Sequence, residues 1–223
     1  MAADGSHPRR LTKPGAESSP SWAPDNIHLA VALSGRVSRV AVLDTRTGRT
    51  RLLVSKAAAP AWSPDGRLIA FLGAGSRPLR VVRPDGTGER SLFDRSQLER
   101  GTRFMSMLGP TWSPDGRQIA FTLYSYGKLN SFGERQLVVP RTGGTPRELS
   151  CGPSSAPPGP VRWSPDGTAL LASSGGEIWV CPLDGSAPYQ LARGTDPDWQ
   201  PDGADQTIAH AERPAPAHFG GGS

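Results

Sequence analysis

Short apolar runs, each bounded by turn-forming residues, recur along the whole chain. Residues 68–71 and 119–121 are apolar at consecutive positions instead of at alternate ones. Such a run is too short for a stable helix and is typical of a strand that is covered on both faces. The pattern therefore predicts a chain of short, buried β-strands separated by tight turns.

A motif built on Trp-Ser-Pro-Asp-Gly recurs as PAWSPDGRLIAF (60–71), PTWSPDGRQIAF (110–121) and VRWSPDGTALLA (161–172). A diverged copy, PSWAPDNIHLAV (20–31), precedes these three, and a shortened copy, DPDWQPDG (196–203), follows them. The spacings between successive motif tryptophans are 40, 50, 51 and 36 residues. A period of about 40 to 50 residues is that of a four-stranded propeller blade. The motif tryptophans are Trp22, Trp62, Trp112, Trp163 and Trp199.

Each motif predicts a hairpin corner between the first and second strands of a blade. Proline presets φ for the second turn position, aspartate suits the third, and glycine accepts a positive φ. The corner aspartates are therefore assigned to turn chemistry and not to calcium binding or catalysis; they are Asp25, Asp65, Asp115, Asp166 and Asp202. The corner glycines of the three full motifs are Gly66, Gly116 and Gly167.

Two more strands follow each corner and complete a four-stranded unit. The third strands are predicted at residues 39–43, 79–82, 136–139 and 177–181, and most are followed by Asp-Gly or Gly-containing turns. More polar fourth strands are predicted at residues 49–54, 89–93, 146–149 and 188–191.

The pattern W-S-P-D-G-x-x-I-A-F, followed by a strand that ends in D-G, resembles the WD-like repeat of the TolB-like β-propellers over residues 4–203. The resemblance implies an all-β propeller of about five four-stranded blades, four complete and one composite. Propellers of this family usually have six blades, so six are expected if the chain is truncated. We expect the propeller domain to span residues 1–211 and a flexible tail to span residues 212–223.

The composite blade is expected to combine both ends of the chain. Residues 3–12 match residues 183–192, so the chain opens in an outermost strand, whereas Trp199 and residues 206–211 look like the first two strands of a blade. Pairing of residues 7–12 with residues 197–211 would close the ring and remove exposed sheet edges. The third strand of this blade is open: either the terminal residues supply it or the chain starts late.

The composition excludes several classes of protein. Because the chain has 27 glycines and 23 prolines among 223 residues, a mostly helical fold is excluded. No apolar run approaches the roughly 18 residues of a membrane span, and no secretory signal opens the chain. We therefore expect a soluble, monomeric protein without a membrane span. It is cytoplasmic as written, and periplasmic or exported if the N-terminus is truncated, since TolB-like propellers are typically exported.

The charged residues and cysteines add little chemistry. The net charge of +5 is scattered, which argues against nucleic-acid binding because phosphate recognition needs a clustered basic stripe. Cys151 and Cys181 are expected to be two ordinary, half-buried thiols, since no C-x-x-C pair is present.

The sequence predicts a protein that is not an enzyme. Its four histidines lie on different units, no G-x-S-x-G elbow is present, and no stretch of domain size is left for a hydrolase. His28 is assigned as an ordinary strand residue. No metal and no cofactor are expected.

Three long connections, at residues 94–109, 124–134 and 150–160, are predicted on the same face of the propeller, and repeat proteins place their insertions on the binding face. Asp94 is expected to cap a short helical turn there. Whether Phe104, Met105 and Met107 pack over the channel or contact a partner is left open. The candidate binding residues on this face are Arg95, Arg100, Arg103, Tyr124, Tyr126, Lys128, Asn130 and Phe132.

The function predicted from these residues is that of a scaffold for protein–protein interaction, which binds a protein partner through the long connections of blades two to four. Arginine and tyrosine are enriched at protein interfaces. The alternative is a site for a carbohydrate or another small anionic ligand at the propeller mouth, including a degenerate propeller enzyme.

Overall fold

The computed structural model describes residues 11, 17–73, 79–97, 103–126, 132–149, 151, 158–194 and 197–199. Within these residues, 16 strands form four antiparallel sheets of four strands each, and the sole helix is a three-residue 3-10 turn. In every sheet the strands are neighbours in chain order, as a propeller blade requires. The predicted all-β propeller is confirmed. No helix in this part of the chain is long and apolar enough to cross a membrane.

The strand bounds follow the predicted repeat. The first blade contains β1 (Glu17–Trp22), β2 (His28–Leu33), β3 (Arg39–Asp44) and β4 (Thr50–Ser55). The second contains β5 (Ala57–Trp62), β6 (Ile69–Gly73), β7 (Leu79–Val82) and β8 (Arg90–Phe93). The third contains β9 (Arg103–Trp112), β10 (Gln118–Tyr126), β11 (Phe132–Pro140) and β12 (Arg147–Leu149). The fourth contains β13 (Pro158–Trp163), β14 (Ala169–Ser174), β15 (Glu177–Pro182) and β16 (Tyr189–Arg193).

The order of the strands gives the propeller two faces, each formed by a different set of connections. In each blade the connections from first to second strand and from third to fourth strand lie at one end, which we call the corner face. The second-to-third connections and the links between blades lie at the opposite end, which we call the long-connection face.

The Ser-Pro-Asp-Gly corners are held by a repeated set of hydrogen bonds. The Ser63 hydroxyl donates to Asp65 Oδ1 at 2.7 Å and accepts from the Leu68 amide at 2.9 Å. Gly66 takes a φ of 70°, and a Cβ there would lie 3.1 Å from Pro24 of the preceding blade. Equivalent serine–aspartate bonds of 2.6 Å form at the corners of the third and fourth blades. The predicted turn chemistry is confirmed for these three corners, while Asp202 lies outside the described residues.

Apolar cores lie between consecutive blades, because strands such as β6 bury side chains on both faces. Phe71 of the second blade packs against Val40 and Val42 of the first blade, whereas the neighbouring Ala70 packs toward the third blade. Phe93 and Phe121 meet between the second and third blades with their ring centroids 5.4 Å apart. This arrangement explains why residues 68–71 and 119–121 are apolar at consecutive positions.

The motif tryptophans link each blade to the one before it. The indole N–H of Trp112 donates to the carbonyl of Ala61 at 2.9 Å, and that of Trp163 donates to the carbonyl of Thr111 at 3.1 Å. In both cases the acceptor immediately precedes the tryptophan of the previous blade. These bonds fix the register between neighbouring blades.

Two described residues bear on the composite blade. Trp199 packs against the fourth blade, and its indole N–H donates to the carbonyl of Arg162 at 3.3 Å, which continues the same series. Leu11 packs on the outer face of the first blade beside Leu29 and Leu43. Most of the expected composite blade, with the domain limit at residue 211 and the tail at 212–223, lies outside the described residues. The composite blade stays a prediction.

The expectation of two separate thiols is wrong. Cys151 and Cys181 form a disulfide across the interface of the third and fourth blades, with a Cα–Cα distance of 5.6 Å. Both residues are buried. The pairing arises because the chain that leaves β12 passes directly beside β15, a proximity that a sequence separation of 30 residues does not reveal.

Candidate functional site

The third blade is longer than its neighbours, and this changes the predicted binding face. Its strands β9, β10 and β11 contain 10, 9 and 9 residues, whereas the equivalent strands β5, β6 and β7 of the second blade contain 6, 5 and 4. Much of the predicted connections at 94–109 and 124–134 is therefore strand. The correction has a simple cause: the two sides of the 124–134 segment pair with each other, Tyr124 with Glu134 and Tyr126 with Phe132.

The strand register brings three predicted site residues into one row. Tyr126 of β10 pairs with Arg103 of β9 on one side and with Phe132 of β11 on the other. This row lies at the end of the blade that points to the long-connection face. Arg100, Lys128 and Asn130 lie outside the described residues, as does most of the predicted 150–160 connection.

Arg95 lies in the predicted helical turn, a 3-10 helix over Arg95–Gln97. The Ser96 amide donates to Asp94 Oδ1 at 2.9 Å, and the Asp94 amide donates to Gln97 Oε1 at 2.9 Å. The Gln97 side chain also donates to the carbonyl of Gly144 at 3.0 Å. The turn is therefore confirmed, and it is fastened to the third blade.

Two other predicted residues of this face pack inward to some degree. Tyr124 is half-buried. Met107 packs against the core between the second and third blades, which answers the question left open for it in favour of packing. The side chains of Phe104 and Met105 lie outside the described part of the molecule.

The corner face carries two clefts, each between neighbouring blades. One has a volume of about 560 Å³ and lies between the first and second blades. The other has a volume of about 600 Å³ and lies between the third and fourth blades. Both clefts lie on the face opposite the long-connection face. The alternative ligand site is predicted on the long-connection face, so neither cleft corresponds to it.

The cleft of the first two blades contains a histidine–carboxylate pair. His28 Nδ1 lies 2.6 Å from Asp25 Oδ2, so the assignment of His28 as an ordinary strand residue is incomplete. Asp25 Oδ1 accepts hydrogen bonds from the Ile27 and His28 amides, and its Oδ2 lies against the His28 ring. Hydrogen bonds from the His28 side chain and backbone lower the pKa of Asp25 to about 2. Within the described residues, no group of three or more histidines, cysteines or carboxylates is placed to hold a metal ion.

Comparison with solved structures identifies the fold. TolB from Acinetobacter baumannii matches with a TM-score of 0.63 and 17% identity, over 86% of this chain and 47% of that chain. A second structure described as TolB, from Agrobacterium tumefaciens, matches with a TM-score of 0.61 and 20% identity, over 85% and 65% of the two chains. The chain has the fold of the TolB-like β-propellers.

The TolB-like fold is shared with an enzyme. An oligogalacturonate lyase from Vibrio parahaemolyticus matches with a TM-score of 0.60 and 15% identity, over 80% of this chain and 54% of that chain. No family model matches the sequence, and no curated protein does. The chain spans between 47% and 65% of the length of these three structures.

The TolB-like propeller also contains an arginine series that the sequence analysis missed. An arginine at the start of an outermost strand donates to a turn carbonyl of the next blade: Arg90 to the carbonyl of Arg141, and Arg147 to the carbonyl of Leu183 at 3.0 Å. Arg51 makes the corresponding bond to Pro84. The sequence contains a signal for this series, since Arg90 and Arg147 each follow a turn glycine by four residues.

Proposed function

We propose that this TolB-like propeller is a non-enzymatic scaffold that binds a protein partner through its long-connection face. The observation that supports the proposal is the extension of the third blade toward that face. All three extended strands belong to the blade that carries most of the candidate binding residues.

The extension lies at one end of the blade. Near the corner, Ile119 pairs with Val139 as Ile69 pairs with Val82, so the second and third blades start at the same level. The pairing in the third blade then continues as far as Tyr126 and Phe132. Three or four additional residues per strand at this end correspond to about 10 to 13 Å at about 3.3 Å per residue. A hairpin of this length gives a partner a contact surface beyond the rim of the propeller.

The composition of the row at the end of this hairpin suits a protein partner. Arg103, Tyr126 and Phe132 are of types that are enriched at interfaces, where arginine and aromatic residues supply much of the binding energy. A small ligand requires a concave site instead, and the two clefts described above lie on the opposite face.

A shortened hairpin tests the proposal. Replacing residues 126–132 by Asn-Gly closes the hairpin directly after the Ser125–Gly133 pair with a favoured two-residue turn, so the rest of the blade is retained. We expect wild-type protein to capture a partner that mass spectrometry identifies, and we expect the shortened protein to lose it. A milder variant, Arg100→Ala with Tyr126→Ala, should weaken binding of the purified partner at least tenfold.

The matched control removes an exposed aromatic residue elsewhere. Tyr189 lies on the outermost strand of the fourth blade and is 49% exposed, so Tyr189→Ala should bind the purified partner like wild type. Unchanged affinity of the partner for the shortened protein would show that the hairpin is not the docking element.

A further inference from the structure

The two clefts of the corner face occupy the same place in the repeat, but their chemistry differs. The cleft between the third and fourth blades, which we call the basic cleft, is lined by Arg117, Gln118, Val138, Pro140, Thr145, Arg147, Gly167 and Leu183. Its charged lining residues are both arginines, and no carboxylate is among the lining residues. The cleft of the first two blades is lined by two aspartates as well as two arginines and a histidine.

The repeat shows which carboxylate the basic cleft lacks. In the first blade His28 pairs with Asp44 across β2 and β3, and both line the cleft. At the same register position of the third blade, Gln118 pairs with Pro140. Proline in place of the aspartate removes one negative charge from the wall of the cleft. Glutamine in place of the histidine supplies a neutral amide that can donate hydrogen bonds.

Arg147 is held in a fixed orientation at the edge of the basic cleft. Its Nη1 donates to the carbonyl of Leu183 at 3.0 Å, which ties the guanidinium to the fourth blade. A guanidinium has five N–H donors, so this bond leaves further donors for a ligand. Pre-organisation of this kind lowers the entropic cost of binding.

Within the described part of the chain, Arg117, unlike Arg147, has no hydrogen bond that holds its guanidinium in place. Its side chain is 83% exposed, and its Nε lies 3.9 Å from Asp115 Oδ2, which is too far for a hydrogen bond. Asp115 is itself occupied, since it accepts hydrogen bonds from the Ser113 hydroxyl and the Arg117 amide. The Arg117 guanidinium can therefore turn toward an anion in the cleft without giving up a strong bond.

We propose that the basic cleft binds a small ligand through a carboxylate or phosphate group, with Arg147 as the fixed donor and Arg117 as the mobile one. Planar guanidinium groups suit both kinds of oxyanion because they donate paired, parallel hydrogen bonds. The Thr145 hydroxyl and the Gln118 amide, which also line the cleft, supply neutral hydrogen bonds. This site is separate from the long-connection face, so either proposal can fail alone.

Titration of the labelled full-length chain, followed by amide resonances in NMR spectra, tests the site. The probes are glucuronate, inorganic phosphate and, as a neutral reference, glucose. We expect glucuronate or phosphate to shift the amides of Thr145 and Gly167, and glucose to leave them unchanged. Binding should weaken as salt rises, since the arginines are exposed to solvent. A response to glucuronate alone would identify an acidic sugar, and a response to both anions would identify a general oxyanion site.

The decisive variants are Arg117→Gln and its matched control, Arg67→Gln. Arg67 has the same position in the second blade and lines neither cleft. Loss of a charged hydrogen-bond donor should raise the dissociation constant about tenfold in Arg117→Gln. Neither side chain makes a strong bond in the fold, so both variants should unfold like wild type. The proposal is wrong if the anions shift no resonance in the cleft, or if the two variants bind them equally well.

Discussion

Trp163 and Trp22 occupy the same position of the same motif, yet their surroundings are opposite. Trp163 is 8% exposed and is hydrogen-bonded to the preceding blade, whereas Trp22 is 57% exposed. The motif therefore sets where a tryptophan lies in the blade, while the neighbouring blade decides whether it is buried. We therefore expect the interfaces between blades to contribute more to stability than the outer side of the first blade.

The largest expected effect comes from removing the buried tryptophan. Trp163→Ala should lower the free energy of unfolding by about 3 to 5 kcal/mol, the usual cost of deleting a large buried aromatic side chain. Trp22→Ala should cost about 0.5 kcal/mol, as at most surface positions. Urea unfolding followed by circular dichroism measures both.

A large effect of Trp22→Ala would break this comparison. It would indicate that another unit covers the first blade in solution, as the composite blade predicted from the two chain ends would do. Leu11 already lies on that side of the first blade, and Trp199 lies on the matching side of the fourth.

The disulfide between the third and fourth blades should give the next largest effect. Cys151→Ser with Cys181→Ser should lower the free energy of unfolding by about 2 to 4 kcal/mol, because the bond restricts the unfolded chain over a loop of about 30 residues. A reductant should destabilise wild type and leave the double variant unchanged. Equal reductant sensitivity of both proteins, or free thiols in air-oxidised wild type by mass spectrometry, would contradict the pairing.

The sequence was sufficient for the features that are set locally. The four blades, their strand order and the Ser-Pro-Asp-Gly corners follow from a period and from turn chemistry within a few residues. Ser63 and Asp65, for example, are two residues apart and bond to each other. Local rules of this kind act in the same way in every copy, which is why the third and fourth strands were predicted to within one or two residues in most blades.

The remaining features depend on residues that are far apart in the chain. Arg90 and the carbonyl that it binds are separated by 51 residues, and the two cysteines by 30. The extension of the third blade depends in part on such a distant contact, since Tyr126 pairs with Arg103, 23 residues earlier. Its hairpin half is local, but the five residues between Tyr126 and Phe132 contain no Asn-Gly or Asp-Gly turn signal. The sequence predicted neither the strand pairing of the third blade nor the clefts, and the binding face with its candidate residues stays a prediction.

The smallest expected effects come from two corner aspartates, Asp65 and Asp25, whose pKa values are both lowered to about 2 but whose partners differ. Partial burial raises the pKa of Asp65, but hydrogen bonds from Ser63, the Arg67 amide and Arg141 outweigh it and lower the pKa to about 2. The bond to Arg141 Nη1, at 2.9 Å, joins the second blade to the third, whereas Asp25 bonds to His28 within the first blade.

Because the folded-state pKa of Asp65 lies below the ordinary value of about 3.9, its contribution to stability is complete above about pH 4 and is lost as the pH falls toward about 2. Asp65→Asn should therefore be less stable than wild type at pH 6, and the difference should shrink toward pH 2 in urea unfolding. If the interface between blades matters more than the local turn, Asp65→Asn should lose more stability at pH 6 than Asp25→Asn. An equal loss in the two variants would mean that the ion pair between the blades contributes no more than the bond of Asp25 to His28 within the first blade.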